Sequence, residues 1–196
     1  MNNNLIITIG REYGTGGREI GQKLALRLGI PFYDRELITR AAKKTGFDEK
    51  LFEQLDKRAT NSFLYSLTMF GSVGLNGMSL TDQLYLAQSN VIREMAEESS
   101  CVIVGRCADF ILQDKADCLK VFIHADLAFR AKRIVEVYGE REQSPEERLR
   151  DKDKRRAAYH RFYTNMKWGH AQNYHLTLDS GVIGIDKCVD IIAQLY

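Results

Sequence analysis

Leu5-Ile6-Ile7-Thr8-Ile9 runs directly into Gly10-Arg11-Glu12-Tyr13-Gly14-Thr15-Gly16-Gly17-Arg18-Glu19-Ile20-Gly21. The apolar run reads as a strand buried on both faces, and Ile20, Leu24 and Leu28 recur at helical spacing. Between them lies a glycine-dense turn. Strand, glycine turn and helix N-terminus together present backbone N–H groups and a partial positive charge to a phosphate. The strict phosphate-loop pattern G-x-x-x-x-G-K-[ST] is broken, however. With Gly16 as its second glycine, the first falls on Arg11, the lysine on Gly17 and the hydroxyl on Arg18. The dinucleotide fingerprint G-x-G-x-x-G fits worse, because its last glycine falls on Glu19 and the turn from Ile9 to Gly14 is too long. A glycine turn that holds no ligand is the remaining reading.

The same alternation continues along the chain. Pro31–Tyr33, Cys101–Val104, Leu119–His124 and Tyr174–Leu178 read as further short strands. Helical patterns span Gly16–Leu28, Asp34–Lys44, Asp48–Asp56, Ser79–Glu98, Asp126–Tyr138, Pro145–Tyr163 and Ile185–Leu195. Ser144 before Pro145, with Glu147 three positions on, is a capping-box signature with proline in the first turn. Strands alternating with helices imply right-handed crossovers and a parallel sheet covered on both faces. Two segments break the rhythm. Residues 59–77 are apolar and glycine-rich without a clean period, as expected of an insertion near an acceptor site or of a homo-oligomer surface. Residues 140–169 form a long stretch rich in arginine and lysine.

Bulk properties exclude several classes. A chain of 196 residues suits one domain, and 44% hydrophobic with 28% charged residues is ordinary for a globular protein. The net charge of +2 gives no global attraction to nucleic acid or membrane. No leader pattern and no membrane-length apolar run is present, so a cytoplasmic location is expected. Cys101, Cys107, Cys118 and Cys188 form no C-x-x-C and sit in apolar surroundings, which reads as reduced, buried thiols. His124, His160, His170 and His175 lack metal-ligand spacing. Tyr159, Phe162, Tyr163 and Trp168 interleave with arginines, but at helical spacing they read as core contacts rather than as base-stacking platforms.

With its later motifs added, the chain resembles the cytidylate kinase-like family, a branch of the nucleoside monophosphate kinases. The opening I-T-I-D-G-P-S-G-A-G-K-G-T of cytidylate kinases lies without gaps on Ile7 through Glu19, with Gly14 and Gly16 on glycines and Gly17 on the lysine. Their V-x-x-G-R-D motif is echoed at Val102-Ile103-Val104-Gly105-Arg106, and a following strand and helix at Lys120–Asp126 and Phe129-Arg130-Ala131-Lys132-Arg133. The lid motif D-x-x-R lies on Asp153–Arg156, and the closing strand and helix on Leu178-Asp179-Ser180 through Ile185. A subgroup with the loop G-R-E-x-G-x-G-G-R-E-I-G shares the missing lysine.

The resemblance implies a three-layer α/β P-loop NTPase fold with a parallel five-stranded sheet, a helical insertion at 59–77 and an arginine-rich lid at 140–169. It implies ATP and Mg²⁺ and a phosphotransferase acting on a small nucleotide such as CMP. Gly14, Thr15, Gly16, Gly17 and Arg18 would hold the donor phosphates, with Arg18 supplying the missing charge. Glu19 would ligate Mg²⁺ or pair with Arg18. Asp34, Arg35, Arg106, Asp109, Asp153 and Arg156 would face the acceptor, with Arg130, Arg133 and Arg156 as transition-state donors. Polar-face or capping roles are the alternatives for Asp34, Arg35, Arg130 and Arg133. A solvated face is expected for Arg148, Arg150, Lys152 and Lys154. A nucleotide-binding regulator without useful catalysis is the rival from another class.

Overall fold

The computed structural model describes residues 4–34, 80–115 and 117–196. Five strands, β1 (Ile6–Arg11), β2 (Phe32–Tyr33), β3 (Cys101–Val104), β4 (Cys118–His124) and β5 (Leu176–Asp179), form one sheet in the order β2-β3-β1-β4-β5. Every pairing is parallel. The central β1 sets Ile6 beside both Cys101 and Cys118, and Ile9 beside both Val104 and Val121. Parallel neighbours require helical crossovers. α1 (Gly17–Leu28), α2 (Leu80–Glu98), α3 (Ala108–Ile111), α4 (Leu127–Tyr138) and α5 (Pro145–Thr164) lie between successive strands, and α6 (Ser180–Ile183) and α7 (Ile185–Ala193) follow β5.

Side-chain alternation along each strand divides the core into two layers. On one face Ile7, Ile9, Val102, Val104, Val121 and Ile123 pack against Ile20 and Leu24 of α1 and Cys188, Val189 and Ile192 of α7. On the other, Ile6, Cys101, Ile103 and Cys118 meet Ile92 and Ala96 of α2 and Ala108 and Ile111 of α3. Continuous apolar strands are the consequence of covering both faces. Ion pairs stitch α1 to α7 at Lys23–Asp186 and Arg27–Asp190. No described helix is long and apolar enough to cross a membrane.

The expected five-stranded parallel α/β fold is present, with shifted ends. β1 extends to Arg11 because its ladder with β4 continues through Gly10 beside Phe122 and Arg11 beside Ile123. β5 starts at Leu176 rather than Tyr174, since Tyr174 closes the 3₁₀ turn Ala171–Asn173 and packs its ring 4.9 Å from that of Phe122. α3 and α6 were not foreseen; four residues are too few to show a helical period. Ser144 Oγ accepts from the Glu147 N–H at 3.3 Å, as the capping signature requires. Arg148 corrects the expectation of a solvated face: it is buried and donates from Nη1 to the Gly139 carbonyl at 3.0 Å. The helices expected at Asp34–Lys44 and Asp48–Asp56, and the 59–77 segment, lie outside the described residues.

All four cysteines are free and buried. Burial pushes the Cys101 thiol up to about 12 and Cys118 to about 11, and raises Cys107 and Cys188 as well. Only the thiolate reacts readily. Alkylation at pH 8 should therefore leave the native protein unlabelled by mass spectrometry, while the denatured chain takes up four labels.

Candidate active site

β1 ends at the centre of the sheet's carboxyl edge, with the chain turning towards β2 on one side and β4 on the other, so a crevice opens there. The glycine loop fills its floor. Gly14 and Gly16 have φ of +88° and +78°, and Gly16 is the N-cap of the 12-residue α1. A Cβ would be strained at either position. Thr15, fully buried, donates from Oγ1 to the Glu12 carbonyl at 2.9 Å and accepts from the Gly17 N–H at 3.3 Å. Ser180, at the start of α6, donates to the Thr15 carbonyl at 2.8 Å and locks the loop from the β5 side.

Arginines surround these glycines. A Cβ on Gly14 would lie 3.0 Å from both Cβ and the carbonyl of Arg130, and one on Gly16 would lie 3.4 Å from the Arg133 guanidinium carbon. A Cβ on Gly17 would lie 2.6 Å from Cβ of Arg11. Arg130 and Arg133 are held by carboxylates, Arg130 by a carbonyl as well. Arg130, buried, donates to Asp153 Oδ2 at 2.6 Å and to the Tyr13 carbonyl at 3.3 Å, with Glu12 Oε2 at 3.6 Å from its Nε. Arg133 pairs with Glu19 at 2.6 Å. Glu12 also accepts from the Ala125 N–H at 3.3 Å.

α5 closes over the loop. Asp153 Oδ1 accepts from the Tyr13 N–H at 2.7 Å, and Arg156 donates to the Arg11 carbonyl at 3.0 Å with its guanidinium 5.4 Å from the Tyr13 ring centre. The other flank of α5 docks on α2 through Tyr163 stacked on Tyr85, ring centres 3.9 Å apart. Tyr159 and Tyr163 are partly buried and pack on each other, ring centres 4.8 Å apart, as packing contacts rather than core, whereas Phe162 is exposed. On the β3 side, Gly105, Arg106 and Cys107 all have positive φ, at 82°, 59° and 55°. Three successive left-handed residues, two of them not glycine, store backbone strain of the kind that clusters at functional sites. Arg106 is 9% exposed and lies 5.9 Å from the Tyr159 ring centre.

Asp153 and Arg156 thus face the loop from α5, while Arg106 meets the Tyr159 ring of the same helix. Asp109 instead pairs with His160 of α5 at 3.2 Å, and His160 Nδ1 lies 3.1 Å from Thr164 Oγ1. Arg18 pairs with the buried Asp34 at the end of β2, at 2.6 Å. Glu19 faces Arg133 and Lys23 rather than Arg18. Arg35 lies outside the described residues. Among the described residues no cluster of three or more His, Cys, Asp or Glu is placed to hold a metal. A cavity of about 530 Å³ opens on the β4–β5 side, between Glu12, His124, Asp126, Trp168 and Asp179.

Sequence reasoning overlooked Arg11, Glu12, Tyr13, His160 and Ser180. A signal for Arg11 was present: an arginine replaces the pattern's first glycine while a glycine replaces its lysine. Nothing in the sequence announces which carboxylate each loop arginine meets.

A central β1, a glycine loop capping the following helix and the strand order β2-β3-β1-β4-β5 define a P-loop kinase fold. Solved structures agree. An uncharacterized protein from Eubacterium ventriosum is 30% identical over 97% of each chain, with a TM-score of 0.75. Shikimate kinase from Bacteroides thetaiotaomicron is 15% identical over 97% of each chain, with a TM-score of 0.51. A gluconokinase from Sinorhizobium meliloti is 15% identical over 100% of this chain and 95% of its own, with a TM-score of 0.52. No curated protein matches. The sequence model of the cytidylate kinase-like family matches residues 6–182, and the chain belongs to that family.

Asp153 ties two elements to the loop, and its removal leaves the buried Arg130 without its nearer carboxylate, with only Glu12 at 3.6 Å. Asp153→Ala should lower stability by roughly 3 kcal/mol, the scale for breaking one side of a buried pair. Urea unfolding measures this directly.

Proposed function

We propose that the protein transfers the γ-phosphoryl group of ATP to a small acceptor, with a nucleoside monophosphate such as CMP the first candidate. The observation that carries this reading is the set of arginines converging on a glycine loop at a helix N-terminus, in a chain of kinase-like family and fold. Phosphoryl transfer asks a protein mainly for positioning and for positive charge around the moving group. In the step, the bond from the γ-phosphorus to the β–γ bridging oxygen breaks and one to an acceptor oxygen forms. ADP leaves. A monophosphate acceptor attacks through an oxygen that is already deprotonated, so no general base is needed.

Backbone N–H groups of Gly14–Arg18 would cradle the donor phosphates, and α1 adds its dipole. Arg130, Arg133 and Arg156 would stabilise charge on the phosphoryl in flight. Arg106 would fork onto the acceptor's phosphate, with Asp34, Arg35 and Asp109 as the further acceptor contacts in this reading. Asp153 would act by holding Arg130 and α5 over the loop, excluding water. For Mg²⁺ the donor set suits a site completed by substrate: Glu19 is a single hard carboxylate beside the loop, and magnesium commonly takes one or two carboxylates plus phosphates and water. When bound, the ion would neutralise charge between the β- and γ-phosphates. A nucleotide-binding regulator without turnover is the second reading, favoured by Gly17 in the lysine's place.

ADP release measured with CMP, UMP, AMP, GMP and small polyol acids as acceptors tests this. One acceptor should raise ADP release well above that with ATP alone. Binding of ATP with no acceptor-dependent ADP would put the regulator ahead. With the active acceptor, Arg106→Ala should chiefly raise the acceptor KM. Arg156→Ala should lower kcat by on the order of tenfold to a thousandfold, the range for one preorganised charge donor.

A further inference from the structure

We infer that Arg11, the last residue of β1, supplies the phosphate-binding charge that a lysine supplies in the standard phosphate loop. This deepens the phosphotransferase reading and rests on it. In the standard pattern the lysine follows the second glycine and reaches the β- and γ-phosphates. Here that position is Gly17, and the space its side chain would need is taken. A Cβ on Gly17 would stand 2.6 Å from Cβ and 3.0 Å from Cγ of Arg11. Real Cβ atoms do not approach that closely, and Arg11 Cβ is fixed to the β1 backbone, so it cannot swing clear.

The far end of Arg11 shows where the charge goes. A Cβ on Gly105 would meet Arg11 Nη1 in direct clash, with Cζ at 3.1 Å and Nη2 at 3.4 Å. The side chain therefore starts at the helix N-terminus and crosses to the end of β3, its guanidinium seated on the strained Gly105–Cys107 turn. β1 and β3 are sheet neighbours, so this path spans the crevice between the glycine loop and Arg106. It is the path a phosphate chain would take from donor loop to acceptor. Two glycines, Gly17 and Gly105, leave room for one arginine, one at its stem and one at its head. Arg156 fixes the Arg11 carbonyl from above at 3.0 Å, which holds the residue's backbone under α5.

Arg18 is the other arginine adjacent to the loop, and it pairs with Asp34 at 2.6 Å on the β2 side. Its reach is spent there. Arg11 and Gly17 are thus a coupled exchange: arginine where the pattern has its first glycine, glycine where it has lysine. The charge is kept and its anchor is moved from the helix to the strand. A guanidinium also offers a planar fork, able to grip two phosphate oxygens where an ammonium makes a point contact.

Isothermal titration with ATP and with AMP, each with Mg²⁺, tests the assignment on the full chain. Wild-type protein that fails to bind ATP would sink the phosphotransferase reading itself. If wild type binds, Arg11→Ala should weaken ATP by about tenfold or more, the scale of one preorganised charge donor, and AMP by far less. Equal losses for both ligands, or no loss for ATP, would overturn the role of Arg11 alone. A double-mutant cycle adds a readout without ligand. Gly17→Ala should lower Tm in the Arg11 background and much less in the Arg11→Gly background, because the clash is with Cβ and Cγ of Arg11 and only glycine removes both. A Tm loss of the same size in both backgrounds would show that Arg11 does not occupy the lysine's space.

Discussion

The carboxylate of Asp153 is the contact on which the site's shape depends. One oxygen accepts from the Tyr13 N–H of the loop at 2.7 Å, and the other from Arg130 of α4 at 2.6 Å. Three chain segments far apart in sequence meet at one charged group that is largely screened from water. In such surroundings charge-assisted bonds are strong, and losing one partner leaves the rest costly. Because Arg130 also holds the Tyr13 carbonyl and approaches Glu12, the loop's first half is fixed by side chains rather than by its own turns. The second half is fixed by Thr15 and Ser180. A loop held from outside keeps its N–H groups in place without any ligand, which is what electrostatic preorganisation requires physically.

That bracing explains the glycines. Arginine side chains and the Ile185 side chain pack against Gly14, Gly16 and Gly17, so these three positions have no volume for a side chain. It also explains why α5, the arginine-rich element, is anything but a free polar rod. Tyr163 stacks on Tyr85 of α2, His160 pairs with Asp109 beside α3, and Asp153 and Arg156 grip the loop. A helix anchored at several points along its length positions its charges; a solvated one would only raise the local potential.

Much of the fold was legible in the sequence, for a local reason. Apolar runs such as Cys101–Val104 and the Ile20, Leu24 period in α1 record burial residue by residue, and Ser144 with Glu147 records a helix start. Elements too short for a period, α3 and α6, left no such record. The site was legible in part. The glycine turn between strand and helix was readable from its composition, and Arg106 and Asp153 could be placed at the end of β3 and on α5 by the strand and helix patterns around them. Partnerships were not readable. Arg18 with Asp34, Glu19 with Arg133 and Asp109 with His160 join residues brought together by the sheet order, and no spacing rule encodes those pairs. Arg11 was hidden differently: a strand's last side chain takes its direction from the pleat and from what lies beside it, here Gly17 and Gly105.

Family membership and the likeness at 30% identity to the Eubacterium ventriosum protein fix the fold and the kinase-like class, and the loop carries the function proposed for it. The account's central claim is that this loop holds the phosphates of a nucleoside triphosphate. A crystal structure of the full chain with a non-hydrolysable ATP analogue and Mg²⁺ tests it most directly. The account predicts the β-phosphate over the N–H groups of Gly14–Arg18, with the γ-phosphate directed towards Gly105 and Arg106. Triphosphate density elsewhere on the protein, or an empty loop at millimolar analogue, would contradict it.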